Sequence, residues 1–266
     1  MMRLKALASG SNGNCIYIDN EDTRILIDAG ISCRRIREGV SALGTEAKDL
    51  NGVLITHEHS DHIQGLKILA KTCHVPIYGT YETLDYIREH DVNDEIPMEL
   101  YHPVHPGNRF SIGSLDVLPI STFHDAVNPV CYRVENGKNA VAVVTDTGSF
   151  SESMVDSLEG LDGLLLEANH DIRMLEAGSY PYVLKRRILS DYGHLSNERS
   201  GELLCRLLNS NMKFCLLGHL SEENNYPDLA LMSVKNEVDL SDVPYSSADI
   251  VIDAATRYEP SALYEL

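Results

Sequence analysis

The stretch that decides the fold is GVLITHEHSDH, residues 52–62. The apolar run GVLIT predicts a buried strand, and the polar residues directly behind it carry the pattern H-x-H-x-D-H. Because a strand end fixes the backbone, the loop can direct His57 and His59 at one metal ion, while Asp61 and His62, at the start of a helix, face a second. Imidazole nitrogen and carboxylate oxygen suit zinc, manganese or iron, and a close pair of ions can hold both ends of an in-line displacement. The alternative is a polar helix cap whose histidines are hydrogen-bonded within the protein.

Further ligand candidates end other apolar runs. His124 follows LDVLPISTF, Asp146 follows AVAVVT, and His219 follows KFCLLG. Each of them alone could be a loop residue with ordinary hydrogen bonds, but together with the motif they complete a set of seven ligands. Asp28 also ends an apolar run, RILIDAG, and we expect this short side chain to orient a ligand or a loop rather than to bind metal itself.

Strand and helix patterns continue along the whole chain, without a repeat, a low-complexity tract or a linker. We therefore expect one domain, residues 1–266, of the α/β (α+β) class with two sheets flanked by helices. The predicted strands are residues 3–8, 15–19, 24–30, 52–56, 109–112, 115–121, 130–134, 140–145, 161–168, 213–218 and 248–254. The predicted helices are residues 33–43, 63–73, 81–90, 182–190, 197–208 and 229–238.

The bulk charge argues against non-specific attraction to nucleic acid. The chain of 266 residues has a formal charge of -18, so its surface as a whole repels polyanions. Any nucleic-acid function must therefore depend on a local site. Two basic clusters, CRRIR at 33–37 and LKRRI at 184–188, could contact phosphates, although such a cluster is more often a solvated helix face.

The N-terminus lacks the long apolar segment of a signal peptide, and no run approaches the roughly 18 apolar residues that cross a membrane. We expect a cytoplasmic protein without membrane insertion. The six cysteines form no CxxC pair, so we expect reduced, mostly buried thiols. The loop SGSNGN lacks the lysine of a phosphate-binding P-loop, and a hairpin turn at residues 10–14 is the expected structure, although its amides could face the site.

The order D, HxHxDH, H, D and H, from Asp28 to His219, resembles the metallo-β-lactamase superfamily over most of the chain. Within it, the sequence is similar to the WalJ/YycJ-type exonuclease branch. The strings that carry this likeness are ASGSNGNC, STFHDAVNP, EANHD, SYPYVLKRRI, GHLSN and LLGHLSEENN. The resemblance implies a four-layer αββα sandwich with a dinuclear metal site at the sheet edges.

The resemblance also distributes the ligands and implies the activity. His57, His59 and His124 would hold one divalent ion, Asp61, His62 and His219 a second, and Asp146 would bridge the two. Proteins of this branch digest DNA, which implies a 5′ to 3′ exonuclease for double-stranded DNA that uses a metal-activated hydroxide, oriented by Asp61.

GHLSN also resembles the His-Ser/Thr element of tRNA 3′-processing nucleases, which implies that His194 is a general acid or a phosphate contact. The alternative is a histidine that merely precedes the helix cap Ser196. Residues predicted to contact substrate are Ser196, Asn197, Asn169, Lys185, Arg186 and Arg187; His170 is not expected to bind metal.

The sequence thus predicts a metal-dependent phosphodiester hydrolase whose partner is nucleic acid, namely DNA. A small-molecule phosphodiesterase or a thioester, ester or lactone hydrolase on the same fold is the alternative. A di-iron flavoprotein is disfavoured because a histidine, His59, stands where that branch commonly has glutamate, and a non-catalytic protein is disfavoured because all seven ligand candidates are present. The choice among Zn²⁺, Mn²⁺ and Fe²⁺, the oligomeric state and the role of the acidic segment 236–266 remain open at this point.

Overall fold

The computed structural model describes residues 1–266 and contains two seven-stranded sheets. In spatial order, the first sheet consists of β14 (Tyr264–Glu265), β1 (Met2–Ala8), β2 (Cys15–Asn20), β3 (Arg24–Ile27), β4 (Gly52–Leu54), β5 (Ile77–Thr80) and β6 (Tyr101–Val104). The second consists of β13 (Val251–Ala254), β12 (Phe214–Gly218), β11 (Gly163–Glu167), β10 (Ala140–Val144), β9 (Val130–Glu135), β8 (Leu115–Ser121) and β7 (Phe110–Ile112).

The helices cover the outer faces of the sheets. They are α1 (Cys33–Ser41), α2 (Ser60–Ile63), α3 (Leu66–Cys73), α4 (Tyr81–Glu89), α5 (Glu152–Ser157), α6 (Ile172–Ala177), α7 (Tyr182–Ile188), α8 (Asn197–Leu207) and α9 (Pro227–Leu240), with short 3₁₀ turns at Ala47–Asp49 and Met98–Leu100. None of these helices combines the length and the apolar character that crossing a bilayer requires.

Three buried apolar clusters separate the layers. Along β2, Ile16 and Ile18 point between the two sheets, whereas Cys15 and Tyr17 point to the opposite face and pack beneath α1, α3 and α4. A third cluster lies between the second sheet and α5, α8 and α9. The layers are therefore helix, sheet, sheet and helix, and the predicted αββα fold class is confirmed.

Most predicted elements are present, with shifted ends. The strand predicted over 24–30 stops at Ile27 because Asp28 adopts a left-handed backbone, with φ of 62°. The helix predicted over 63–73 is divided into α2 and α3 at Gly65, where a Cβ atom would lie 2.1 Å from the carbonyl oxygen of Ile31. The hairpin turn after β1 is confirmed by the antiparallel pairing of β1 with β2. The elements missing from the sequence prediction are β5, β6, β14, α5, α6 and the two 3₁₀ turns.

Parallel strands in both sheets position the polar residues. In the first sheet β3, β4, β5 and β6 run parallel, and in the second β10, β11, β12 and β13 do so. Parallel strands end at the same edge of a sheet, where ligand sites of α/β folds are usually found. The side chains that follow β3, β4, β10 and β12 are thereby brought to one edge of the sandwich, where they lie within a few ångströms of one another.

Candidate metal centre

Several residues at this edge have strained backbones. Asp28, Asp146 and His219 each follow a buried strand and have left-handed φ angles of 62°, 57° and 53°. A left-handed conformation costs a residue with a side chain roughly 1–2 kcal/mol. Strain of this kind persists only where the surrounding structure enforces it, and it concentrates at functional sites. The backbone strain at these three strand ends is therefore typical of a functional site.

Three histidines converge on one point. His57 Nε2 lies 3.0 Å from His59 Nδ1, which lies 3.3 Å from His124 Nε2. Nitrogen atoms that bind one zinc ion tetrahedrally at about 2.0–2.1 Å are roughly 3.3 Å apart. The spacing of these three ring nitrogens is therefore that of ligands around a single ion, and all of them lie within 4.8 Å of one another.

A second group of ligand atoms adjoins the first. His62 Nε2 lies 3.1 Å from Asp146 Oδ2 and 3.4 Å from Asp61 Oδ2, and His219 Nε2 lies 3.2 Å from Asp146 Oδ1. Asp146 also lies 3.7 Å from His124, so its carboxylate stands between the two groups. The structure thus brings together all seven side chains that the sequence analysis selected, in the two sets that the resemblance implied with Asp146 between them.

Hydrogen bonds on the far side of the rings fix which nitrogen faces the centre. His124 Nδ1 donates to the carbonyl of Gly193 at 3.0 Å, and His62 Nδ1 donates to Asp28 at 2.7 Å. The Thr56 hydroxyl donates to Asp28, so its oxygen accepts from His57 Nδ1 at 3.0 Å. When these three imidazoles are neutral, each therefore turns an unprotonated Nε2 into the centre. Partners of this kind orient the histidine ligands of metal sites.

The unprotonated nitrogens and the surrounding carboxylates fit a divalent cation. The unprotonated Nε2 of His124 faces His59 Nδ1 at 3.3 Å and Asp146 Oδ1 at 3.7 Å, and the Nε2 of His57 faces His59 Nδ1 at 3.0 Å. A proton on His59 could satisfy only one of these two neighbours. Buried atoms that repel in this way are stable around a positive ion, and the His and Asp donors suit such ions.

The pKa values of the histidines also indicate that this centre fits a cation. Burial lowers the pKa of His57, His59 and His219 below the ordinary histidine value, so these rings are held neutral, as metal ligands must be. Burial also opposes a charge on His62, but the carboxylates of Asp146 and Asp28 outweigh it and raise the pKa of His62 well above its usual range. The centre thus favours added positive charge.

His194 lies beside the candidate ligands and is held by a buried glutamate. Its Nδ1 donates to Glu167 Oε1 at 2.7 Å and lies 3.6 Å from Asp146. Burial disfavours the charged ring, but the Glu167 carboxylate more than compensates and raises the pKa of His194 to about 9. Glu167 is fully buried, and its other oxygen accepts from the backbone of Thr147 at 3.0 Å. This pair can hold a proton close to the centre.

The centre opens into a cleft of about 320 Å³. Its walls include His59, Asp61, His124, Asp146, Arg187, His194 and His219, and none of the lining residues is hydrophobic. Arg187 is the cation of this cleft and forms a two-pronged ion pair with Asp125, whose Oδ1 accepts from Nη2 at 2.9 Å. A cleft of this size and polarity can admit a phosphodiester.

The other residues predicted to contact substrate lie in different surroundings. Lys185 donates to the carbonyls of Glu176 and Gly178 at 2.7 Å, so it caps α6, whereas Arg186 is exposed. Ser196 caps α8, accepting from the backbone of Arg199.

The predicted substrate contacts Asn169 and Asn197 are buried. Asn169 donates to the His219 carbonyl at 3.0 Å, and Asn197 pairs with the amide of Asn225. These contacts tie the loops of His194 and His219 together. Buried His170 is not in any of the groups of potential ligands.

Sequence reasoning missed Glu167 and Asp125 as residues of the site. Glu167 ends the apolar run LDGLLLEA in the same way that Asp146 ends its own strand, so the signal used for the ligands could have identified it. Asp125 has no such signal. Its role depends on α7 approaching from a distant part of the chain, with 62 residues separating the two partners of the ion pair.

Comparison with known proteins supports the class that fold and site define. The family model described as a beta-lactamase superfamily domain matches residues 23–214, and the chain belongs to the metallo-β-lactamase superfamily. The exodeoxyribonuclease WalJ of Streptococcus pneumoniae is 38% identical over 254 residues, which cover 94% of each chain. The exodeoxyribonuclease YycJ of Bacillus anthracis is 36% identical over 233 residues, or 88% of each chain. The metallo-β-lactamase fold protein YhfI of Bacillus subtilis superposes with a TM-score of 0.73 at 17% identity, covering 100% of this chain and 99% of its own.

Proposed function

We propose that this protein is a metal-dependent DNA exonuclease. The observation that carries the proposal is the convergence of seven His and Asp side chains on the floor of a polar cleft that also presents Arg187 and His194. The relatives named exodeoxyribonucleases align along about nine-tenths of the chain, which makes DNA the substrate that we select.

Two divalent ions would occupy the centre. His57, His59 and His124 would hold one, Asp61, His62 and His219 the other, and Asp146 would bridge them, in accordance with the distances between their ligand atoms. When bound, the ions would activate a water nucleophile at neutral pH and stabilise the charge of the phosphate in the transition state. The donor set is compatible with Zn²⁺, Mn²⁺ and Fe²⁺.

The chain's own residues would orient the substrate and move protons. Asp61 lines the cleft and would accept a hydrogen bond from the attacking water. His194, charged through its bond to Glu167, would donate the proton of Nε2 to the departing oxygen, because Nδ1 is engaged by the glutamate. Arg187 would bind a non-bridging phosphate oxygen, in the planar geometry that guanidinium and phosphate share.

The acidic surface requires that DNA binding be local. With a net charge of -18, the chain attracts a polyanion only where cations are concentrated, and the metal ions would be the strongest of these. Arg187 lines the cleft and Arg186 is exposed on the same helix, whereas Lys185 is occupied at the end of α6. In the other cluster, none of the α1 arginines Arg34, Arg35 and Arg37 is among the residues that line the cleft. We therefore propose that α7 rather than α1 contacts the phosphates.

The proposal is tested by measuring nucleotide release from end-labelled double-stranded DNA, single-stranded DNA and RNA by the metal-loaded protein. We expect stepwise release of nucleotides from double-stranded DNA. In His59→Ala the rate of release should fall at least about 100-fold, because losing a metal ligand should cost more activity than the 10- to 100-fold lost with the hydrogen-bond partner of a ligand. The exposed residue His105 provides the matched control, and His105→Ala should digest DNA as the wild type does. Turnover of a small phosphodiester or thioester without release from any polymer would contradict the nuclease proposal and favour a small-molecule hydrolase.

We also propose that residues 1–266 fold as one domain. The cluster between the sheets takes Leu4 and Ile27 from the first part of the chain and Val143, Leu165 and Leu216 from the second. A shared core of this kind should unfold as one unit, so a single calorimetric transition is expected. Two separate transitions would contradict it.

A further inference from the structure

Two aromatic rings stand at the rim of the metal cleft. Tyr192 is 58% exposed, and its ring centroid lies 6.2 Å from that of Phe123, with the ring planes tilted by 58°. Phe123 immediately precedes the candidate ligand His124, and Tyr192 lies two residues before His194. Both residues therefore lie close in sequence to residues that line the cleft, and more than half of the Tyr192 side chain is left uncovered by the protein.

The backbone beneath Tyr192 is rigid. The carbonyl of Gly193 accepts from His124 at 3.0 Å, and the carbonyl of Asp191 accepts from the Ser149 hydroxyl at 3.1 Å. Gly148 passes so close below that a Cβ atom there would lie 2.3 Å from the carbonyl of Ser190. Tyr192 is therefore held in fixed register with the metal ligands, as a preorganised binding residue has to be.

A groove of about 450 Å³ continues from Phe123 along β8. Apolar side chains such as Leu118 and Met154 line it together with the hydroxyl-bearing residues Ser121 and Ser153, and no carboxylate is among its lining residues. In a chain with 40 acidic residues, this uncharged surface is a place where a polyanion meets no repelling carboxylate. Phe123 borders the groove and the next residue, His124, borders the cleft, so the groove begins one residue along the chain from the metal centre.

We propose that Tyr192 and Phe123 form a stacking platform for the base next to the scissile linkage, and that the groove along β8 holds that nucleotide. Aromatic rings bind bases of any sequence by their faces, which suits an enzyme that removes successive nucleotides. The inference rests on the proposed function, since it requires a nucleic-acid substrate. It assigns to Tyr192 a role in binding, distinct from the proton transfer of His194.

The first test compares Tyr192→Leu with Tyr192→Phe, which retains the ring. Loss of one stacked base should raise KM for DNA roughly 5- to 100-fold in Tyr192→Leu. The effect should be at least about tenfold larger on this DNA than on the same DNA with an abasic terminal nucleotide, which has no base to stack. Tyr192→Phe should restore a KM close to that of the wild type. Tyr81, which is 57% exposed and lines neither the cleft nor the groove, is the matched control, and Tyr81→Leu should leave KM unchanged.

The second test uses the wild-type chain, so that it does not depend on the folding of a variant. DNA with 5-iododeoxyuridine at its terminal nucleotide and a phosphorothioate at the terminal linkage should crosslink on irradiation to Tyr192, in tryptic peptide 188–199, or to Phe123. Crosslinking elsewhere, or an unchanged KM in Tyr192→Leu, would overturn the platform. The platform would also be overturned if the wild-type protein were a dimer that the Tyr192→Leu substitution converted to a monomer without changing KM for DNA. Failure of the proposed function is recognised separately, because the wild type would then release no nucleotide from DNA.

Discussion

Replacing Asp28 by asparagine should weaken metal binding although Asp28 is not itself a proposed ligand. Its carboxylate accepts from His62 Nδ1 at 2.7 Å, from the Thr56 backbone at 2.9 Å and from the Thr56 hydroxyl at 2.9 Å. An asparagine side chain offers one acceptor oxygen and one NH₂ group. Whichever way the amide is turned, its NH₂ group must face a buried donor, so either His62 or Thr56 loses its partner.

The size of the effect follows from this loss. A hydrogen bond to a charged group contributes about 1.5–3 kcal/mol, which corresponds to roughly 10- to 100-fold in an equilibrium constant. Loss of such a partner behind a metal-binding histidine has the same range of effect on metal affinity. We therefore expect Asp28→Asn to weaken metal binding roughly 10- to 100-fold and to lower DNA hydrolysis at limiting metal, with partial recovery when metal is added.

The assay is competition with a chelator of known affinity, together with thermal unfolding of the metal-free protein. Asp19→Asn is the matched control, because Asp19 is also fully buried and accepts from Arg3 and from Tyr17 at 2.9 Å, in a different part of the fold. Both variants should lose stability, but only Asp28→Asn should lose metal affinity. Equal metal affinities in Asp28→Asn and the wild type would refute the reasoning that His62 needs this partner.

Three further predictions concern the proton donor, the loop beneath the centre and the metal itself. Glu167→Gln should lower kcat on DNA about 10- to 100-fold with metal content unchanged. Adding His194→Ala to this variant should lower kcat little further, because the two residues act as one unit. Additive losses of kcat in steady-state kinetics would argue against the pair. Gly30→Ala should reduce metal content at least about tenfold by elemental analysis, because its Cβ atom would lie 1.6 Å from the Asp61 carbonyl, whereas Gly44→Ala, with open space around it, should not. Removing metal with a chelator should lower Tm by about 5–10 °C, because a free metal concentration of 100 times Kd stabilises the folded protein by roughly 2.7 kcal/mol. An unchanged Tm would count against a bound ion in the native state.

Local patterns were sufficient to select the seven side chains that converge at the sheet edge and most of the elements around them. A buried run followed by His or Asp marks a strand end, and the H-x-H-x-D-H spacing fits a loop that enters a helix, so His57 to His62 could be selected without coordinates. The same local information misses elements with weak patterns. The strand β6 carries Pro103 and exposes His102, so its sequence resembles a loop, and α5 and α6 are only six residues long.

The parts that could not be predicted depend on contacts between distant segments. The left-handed conformation of Asp146 and His219 is imposed by the packed strand ends, not by their own preferences. The aromatic pair of Phe123 and Tyr192 forms only because α7 and the loop behind it fold over the edge of the second sheet. The substrate roles predicted for Asn169 and Asn197 came from short strings, which do not show that both side chains are buried.

The most direct test of the central claim is a crystal structure of the Mn²⁺-loaded protein with anomalous diffraction recorded above the manganese edge. We predict two peaks per chain, one enclosed by His57 Nε2, His59 Nδ1 and His124 Nε2, and the other by Asp61, His62 and His219, with Asp146 contacting both. His59→Ala should lose the first peak and DNA hydrolysis together. No peak at these positions in fully active protein, or DNA hydrolysis that persists without bound metal, would contradict the account.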